Sequence, residues 1–301
     1  MTTQSRPQQF EGPHGPRPRR VSPMRVVTYA ILIAAALFFL LPVYVMIITS
    51  LKPMEEIRTG AMLALPQNPS FEAWSIAWSQ ACSGVRCEGV APGFWNSVQI
   101  TIPSVIVSVL AGALTGYTMS FWKFRGSNLV FAILIFGAFV PYQILLYPLV
   151  RVYASLGIFG TVGGLVIVHS IFGLPLTTLM FRNFFVSIPT ELFKAARVDG
   201  AGFLRIFWQI VLPMSAPIIV VTVIWQATGI WNDFLMGLVF GGREAKPMTA
   251  LLNNIILSEF GERRYNVEMA ATFLTALVPL AIYLLSGRWF VRGITAGSVK
   301  G

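Results

Sequence analysis

The polar side chains that could do chemistry in this sequence lie within long apolar segments. Asp233, Asn232 and Gln226 share one segment, and Gln143 and His169 lie in two others. An isolated acid at the centre of a membrane helix costs about 3 kcal/mol, so Asp233 must face protein or water rather than lipid. These residues either line the path of a polar solute or form hydrogen bonds between helices. Packing is favoured for His169 and Gln226. For Asn232 and Asp233 the two interpretations are level, and Gln143 joins them as a candidate lining residue.

Catalytic and nucleotide-binding motifs are absent from the sequence. It has no Gly-Lys-Ser/Thr loop to cradle phosphates and no His-Glu-x-x-His pair, and its two histidines are His14 and His169. Neither Cys82 nor Cys87 belongs to a metal-site pattern. We therefore expect a chain that is not itself an enzyme and holds no cofactor or metal. Any chemistry on ATP would occur on another chain.

The composition places the chain in a membrane. Hydrophobic residues make up 55% of the 301 residues and charged residues 11%, whereas a soluble domain has about 25% charged residues. A bilayer crossing needs about 20 mostly apolar residues. Six segments are long enough: 26–49, 94–119, 129–150, 160–181, 214–240 and 267–287. The predicted fold class is all-α, a polytopic membrane protein with about six transmembrane helices.

The distribution of charge predicts the orientation of the spans. Most Lys and Arg residues fall in segments on one side of the predicted spans, and most acidic residues fall on the other. A basic excess in short cytoplasmic loops is the positive-inside rule. We expect a multi-pass protein of the bacterial cytoplasmic (inner) membrane with both termini cytoplasmic. The predicted parts are a disordered basic leader at 1–24, a transmembrane domain at 25–290 and a cytoplasmic tail at 291–301. Because the basic residues are spread over separate loops, nucleic-acid binding is not expected.

The predicted outer loops are 51–93, 151–159 and 241–266. The first contains Cys82 and Cys87, which would lie on the oxidising side of a bacterial membrane. A disulfide and two free thiols are equally compatible with the sequence. Docking of a soluble partner is slightly favoured over a purely connecting role for these loops.

The inner loop at 182–213 is longer than a helix connector requires, at about 30 residues. Pro189 and Thr190 can begin a helix, with Glu191 in its first turn, where a negative charge suits the helix dipole. Gly200 can turn the chain, and a second short helix is predicted at 201–210, ending before Pro213. The apolar stripe of the first helix is predicted to comprise Leu192, Ala195, Ala196 and Val198. Such an element either docks a partner protein or lies at the lipid headgroups, and the residues alone favour neither interpretation.

This loop resembles the EAA loop of ABC importer permeases, the element that docks into the ATPase subunit. The pattern there is Glu-Ala-Ala, three residues, Gly, nine residues, then Ile-x-Leu-Pro, with Asp-Gly-Ala common in the sugar-importing branch. Lys194 stands where the pattern has Glu, which puts the salt bridge of that Glu in doubt, and Glu191 lies one turn earlier. The resemblance implies these ATPase-coupling residues: Glu191, Ala195, Ala196, Asp199, Gly200, Ala201, Ile210, Leu212 and Pro213.

The resemblance extends over nearly the whole chain after the leader. Residues 290–301 and 50–53 are similar to maltose-type permeases of the MalG kind, and residues 140–143, 229–234 and 266–270 look closest to glucose/mannose-type permeases. The resemblance implies a permease subunit of a binding-protein-dependent sugar importer that forms half of the translocation path. Implied partners are a second permease subunit in a heterodimer, two ATPase subunits that hold ATP and Mg, an extracytoplasmic sugar-binding protein and the lipid bilayer. The alternative is an ion-coupled secondary transporter without ATPase partners.

Overall fold

The computed structural model describes residues 23–122, 124–258 and 263–298 of the chain. The predicted leader at 1–24 therefore lies outside the described residues, except for Pro23 and Met24. The chain divides into two compact units, residues 1–46 and 47–301. Helix α1 (Pro23–Ser50) begins in the first unit and has 28 residues. At 1.5 Å per residue, an apolar helix of this length can cross a bilayer.

The segment after α1 is more ordered than a simple connector. It contains α2 (Met54–Thr59), α3 (Glu72–Ser79) and an antiparallel hairpin of β1 (Cys82–Ser83) and β2 (Arg86–Cys87). A disulfide joins Cys82 to Cys87, so the structure selects one of the two alternatives that the sequence left open. Gly84 at the tip of the hairpin has a φ of +69°, a left-handed conformation that glycine adopts without strain.

The remaining elements are helical. In chain order they are α4 (Ala91–Phe121), α5 (Ser127–Phe139), α6 (Tyr142–Ser155), α7 (Val162–Phe185), α8 (Thr190–Val198), α9 (Phe203–Ile206), a π-helical turn (Phe207–Val211), α10 (Leu212–Met214), α11 (Ala216–Asn232), α12 (Leu235–Phe240), α13 (Met248–Ser258) and α14 (Tyr265–Ser298). The predicted tail at 291–301 is thus helical as far as Ser298.

The described helices confirm a polytopic all-α fold. Four of them, α1, α4, α7 and α14, are long and apolar enough to cross a membrane. Two further pairs are bent: α5 meets α6 at 98°, and the run Phe203–Met214 meets α11 at 80°. Counting each bent pair as one span gives six, in agreement with the predicted number. The bend between α5 and α6 occurs at Pro141, which lacks the backbone N–H that a continuous helix would use.

Helices α4 and α7 form the closest pair in the second unit. A Cβ atom placed on Gly112 of α4 would lie 2.2 Å from Thr177 Oγ1 of α7, so only a glycine fits there. Thr177 Oγ1 also donates a hydrogen bond of 3.1 Å to the carbonyl of Ser108 across the same interface. Small residues with interhelical hydrogen bonds are the usual means of holding membrane helices together. This pair provides the frame on which both candidate sites are built.

Two predicted boundaries are wrong. The segment 214–240 is not one helix, because the chain leaves helical geometry at Asp233, whose ψ is 128°, before α12 begins. The helix predicted at 201–210 begins at Phe203 and continues past Pro213 to Met214. Pro213 is tolerated because it lies in the first turn of α10, directly after the π-helical turn has changed the hydrogen-bond pattern.

The predicted loop boundaries also differ from the structure. Helix α6 extends to Ser155, beyond the predicted end at 150. The outer segment 241–266 contains the 11-residue helix α13. Its apolar residues support a short buried helix, although the segment is too short to have been predicted as a span.

Candidate functional site

The predicted helix-turn-helix in the loop at 182–213 is confirmed. Helix α8 begins at Thr190 after Pro189 and carries Glu191 in its first turn. Its last residue is Val198, followed by Asp199, and Gly200 then adopts a φ of +76° that reverses the chain. The Ala201 N–H donates to the Ala196 carbonyl at 2.9 Å and closes the turn. The left-handed conformation is the physical reason for glycine at position 200.

Three of the four residues predicted for the apolar stripe of α8 share an exposed face, whereas the fourth, Ala196, is buried on the other side of the helix. Phe193 and Ala196 are each 7% exposed and face the protein, whereas Leu192 is 41% and Val198 is 87% exposed. A Phe side chain buries more apolar area than a Leu, so the helix turns Phe193 inward. The side of α8 opposite Phe193 is therefore exposed. It carries three residues at a spacing of three, about one helical turn: Leu192, Ala195 and Val198. We call these three residues the outward face of α8.

An aromatic cluster connects α8 to the end of α4. The Phe193 ring lies 3.7 Å, centroid to centroid, from the Phe121 ring, and Tyr117 stands 4.6 Å from Phe203 and 5.4 Å from Phe207. Tyr117 Oη also donates a hydrogen bond of 3.3 Å to the Phe203 carbonyl. We call these five residues the aromatic anchor. Because aromatic pairs bury large areas and prefer particular geometries, the anchor packs α8 and α9 directly against the end of α4.

The other predicted coupling residues divide into two groups. Ile210 and Leu212 are partly buried and pack against the hydrophobic core of the second unit. Glu191, Ala195 and Asp199 are exposed, and Pro213 is exposed beyond the π-helical turn. Lys194 borders a small cavity of about 200 Å³ beside Tyr117, Trp122 and Arg197. The partly buried members of the motif therefore hold the turn in place, and the exposed ones form a surface.

A second candidate site is a cavity of about 450 Å³ beside α7. Its polar lining residues are Asp233, His169 and Gln226, and its wall includes the rings of Tyr142 and Trp225. Gln143 and Asn232 are exposed and lie outside this wall. Their role as lining residues therefore stays a prediction, as does that of Asp233, although Asp233 does border the cavity. Tyr142 was missed by sequence reasoning; its signal was the neighbouring Pro141, which breaks the span.

The polar groups of this cavity have specific partners. Gln226 Nε2 donates a hydrogen bond of 2.9 Å to Ser108 Oγ on α4, which matches the packing interpretation of Gln226. Asp233 Oδ2 accepts the Gly237 N–H at 3.1 Å, and the Asp233 carbonyl accepts Thr249 Oγ1 at 2.6 Å. His169 Nε2 lies 3.9 Å from Asp233 Oδ2, too far for a hydrogen bond. The carboxylate is thus fixed by the break between α11 and α12.

The disulfide hairpin is connected to the loop after α12. Arg86 Nη2 pairs with Glu244 Oε1 at 2.9 Å, and Asn96 Nδ2 donates to the carbonyls of Glu244 and Lys246 at 2.7 and 3.0 Å. The hydrogen bond and charge of the Arg86 guanidinium hold the pKa of the Glu244 carboxyl below its ordinary value. Both side chains are largely exposed, so this pair orders the loops without contributing much to overall stability.

The described residues therefore form a polytopic membrane protein with up to six spans, two of them bent, and a helical turn packed against the end of α4. The chain belongs to the family described as binding-protein-dependent transport system inner membrane component, whose model matches residues 98–295. This match confirms the resemblance to ABC importer permeases found in the coupling motif.

Individual relatives match over nearly their whole lengths. The chain is 36% identical over 284 residues to a probable ABC transporter permease protein of Pyrococcus horikoshii, covering 94% of this chain and 100% of that protein. It is 31% identical over 283 residues to the glucose import system permease protein GlcU of Saccharolobus solfataricus, covering 91% and 95%. The solved structure of a bacterial ABC transporter involved in the import of alginate superimposes with a TM-score of 0.75 at 20% identity, covering 93% of this chain and 100% of that one, and supports the fold.

Proposed function

We propose that this chain is one permease subunit of an ATP-driven, binding-protein-dependent importer of a neutral sugar. The observation that carries the proposal is the family match over residues 98–295. This range includes both the cavity and the helix-turn-helix from α8 to α10 (190–214), which we call the coupling turn. The relative from Saccharolobus solfataricus is named for glucose import, and this supports a sugar as the solute. Glucose or mannose is the specific expectation from the sequence resemblance.

The coupling turn receives the mechanical input in this proposal. The outward face of α8 presents three apolar side chains to solvent, where an ATPase subunit would dock. When ATP binding closes two such subunits, a force on α8 passes through the aromatic anchor into α4. Helix α4 is packed on α7, so the bundle would move between inward- and outward-open states. Each state needs its own stabilising contacts, which nucleotide provides below and the loaded binding protein above.

The proposed assembly contains this chain, a second permease subunit, two ATPase subunits and an extracytoplasmic sugar-binding protein. ATP and Mg²⁺ would be held by the ATPase subunits. In the proposed arrangement both termini and the coupling turn lie in the cytoplasm of a bacterium and the complex lies in its inner membrane, which the basic excess in these segments supports. The hairpin at Cys82–Cys87 would then lie on the oxidising side, which agrees with its disulfide.

Reconstitution tests the function directly. The complete complex is placed in liposomes and the uptake of radiolabelled glucose, mannose, maltose and trehalose is measured with and without ATP and the binding protein. We expect uptake of at least one of these sugars that requires both additions. Uptake driven by a cation gradient without ATP would instead indicate a secondary transporter. A complex that takes up none of them with ATP present would contradict the proposal.

A further inference from the structure

Two helix breaks meet at the 450 Å³ cavity beside α7. Val140 and Tyr142 border it from the break between α5 and α6, and Asp233 and Met236 border it from the break between α11 and α12. Non-helical backbone within a membrane is tolerated where it lines a water-filled cavity or is buried in protein. In many transporters such broken helices surround the solute site. The convergence of two breaks on one space therefore marks the cavity as more than a packing defect.

The cavity lies beside the middle of α7. Its lining includes residues 169–176 of α7, which are central in the 24-residue helix Val162–Phe185. If α7 crosses the bilayer along its length, a site beside its centre is about equally far from both membrane surfaces, as a site on a transport path must be at one stage of the cycle. Its volume falls within the range of about 300–1,000 Å³ that is typical of small-molecule sites.

The lining chemistry suits a neutral molecule with several hydroxyl groups. Asp233 offers carboxylate oxygens, Gln226 an amide and His169 an imidazole, and no Lys or Arg belongs to the described lining. An anionic solute would meet the Asp233 carboxylate without a compensating cation, so anions are disfavoured. The 3.9 Å gap between His169 Nε2 and Asp233 Oδ2 leaves both groups able to bond to a ligand hydroxyl.

The aromatic residues supply the apolar part of such a site. Trp225 is 44% exposed and borders the cavity, as do Tyr142 and Phe172, whose rings pack edge to face at 5.9 Å. An aromatic face gives a large, rigid contact for the C–H groups of a sugar ring. Trp225 and Gly229 are four residues apart and lie along one face at the end of α11, and Asp233 follows directly after the last residue of that helix.

We propose that this cavity is a sugar-binding subsite of the translocation path, with Asp233 and His169 bonding to hydroxyl groups and Trp225 stacking on the ring. This inference rests on the proposed importer function and deepens it, since it places solute contacts on this subunit. The subsite would hold the sugar after its release from the binding protein and before its exit to the cytoplasm.

Gly229 allows the cavity to be filled with little disturbance to the fold. It borders the cavity, and no atom lies within 4 Å of a Cβ atom placed there. The Gly229→Leu variant therefore puts a side chain into the space that the sugar would occupy, on a helix that tolerates Leu better than Gly. The matched control is Gly287→Leu in α14, which also has no atom within 4 Å of the added Cβ and does not border the cavity.

The measurement is radiolabelled glucose transported per ATP hydrolysed in liposomes that contain the complete complex and loaded binding protein. We expect Gly229→Leu to keep the stimulated ATP hydrolysis but to lower glucose per ATP at least about tenfold, because a bulky side chain excludes the ligand. Gly287→Leu should equal the wild type. An unchanged ratio in Gly229→Leu would overturn the subsite while leaving the importer function intact. The importer function itself would be contradicted only if the wild type took up none of glucose, mannose, maltose and trehalose with ATP present.

Two subtractive variants keep the proposal testable if Gly229→Leu fails to assemble. Trp225→Ala removes the stacking face, and Asp233→Asn keeps the shape of the carboxylate but removes its charge. We expect each to lower glucose per ATP several-fold and to alter the preference between glucose and maltose. If both variants matched the wild type in ratio and in preference, the subsite would be disproved.

Discussion

The coupling turn and the cavity beside α7 are built in opposite ways. The turn is a short, regular helix fixed from within by aromatic packing: Phe193 against Phe121, and Phe203 against Tyr117. The cavity is surrounded by interruptions of regular structure, at Pro141 and at Asp233. Both constructions suit the proposed roles, because a part that transmits force benefits from rigidity, whereas a part that binds and releases a solute needs polar groups and free space. The comparison indicates that the two functions can be disturbed separately by substitution.

The largest effect on coupled transport is expected from Gly200→Val at the turn. Its φ of +76° is strained for a β-branched residue, and left-handed backbone costs such a residue about 1–2 kcal/mol. The turn between α8 and α9 should therefore be displaced, and glucose transported per ATP should fall at least about tenfold, with membrane insertion intact. The matched control is Gly202→Val. Gly202 also has open space around an added Cβ, but its φ of −75° is ordinary. Normal coupled transport by Gly200→Val would count against the role of the turn.

The next prediction compares a substitution on the buried face of α8 with one on its outward face. Phe193→Ala removes a buried ring of the aromatic anchor and should destabilise the purified complex by about 3 kcal/mol, which a thermal unfolding midpoint would detect. Leu192→Ala removes an exposed side chain from the outward face. It should leave the stability of the isolated permease pair unchanged but reduce the amount of ATPase subunit that co-purifies. The opposite pattern would show that the inward and outward faces have been exchanged.

The sequence could predict the existence of the turn better than its orientation. Proline, glycine and a first-turn acid at positions 189, 200 and 191 are local signals, and the structure has a helix start, a left-handed bend and an acid at those positions. Which face of α8 is buried depends on Tyr117 and Phe121, which are distant in sequence and come close in the fold. A nine-residue helix is too short for periodicity to decide between Leu192 and Phe193.

The cavity was harder to predict for the same reason. Asp233 could be recognised because a carboxylate in an apolar segment is costly, but the segment was interpreted as a continuous helix. The break before α12 is stabilised by Thr249 and Gly237, whose bonds to Asp233 depend on tertiary structure. Tyr142 and His169 come together from different spans, so their proximity has no local signal.

A smaller effect is expected where helix packing borders the cavity. A Cβ atom on Gly173 would lie 2.0 Å from Gln226 Nε2, so Gly173→Ala should displace Gln226 and break its bond to Ser108. Interhelical hydrogen bonds in membranes are worth about 1 kcal/mol, and the unfolding midpoint should fall accordingly. Gly137→Ala is the control, since Gly137 borders the same cavity with no atom within 4 Å of the added Cβ. Equal midpoints for the two variants would indicate that Gln226 does not hold α11 to α4.

The smallest effect should come from the outer loops, where the ion pair between Arg86 and Glu244 is exposed. The hydrogen bond and charge of Arg86 lower the pKa of Glu244. The ion pair therefore stabilises the fold at pH values above the ordinary pKa of 4.5, and this stabilisation is lost as the pH falls through the lowered pKa. Glu244→Gln should therefore lower the unfolding midpoint slightly at pH 7 and have less effect at about pH 3. Glu88→Gln is the control, because Glu88 acts on Arg86 through charge alone. A larger fall in the unfolding midpoint for Glu88→Gln than for Glu244→Gln would contradict this prediction. It would mean that long-range charge interactions hold the hairpin, rather than the direct ion pair with the loop after α12.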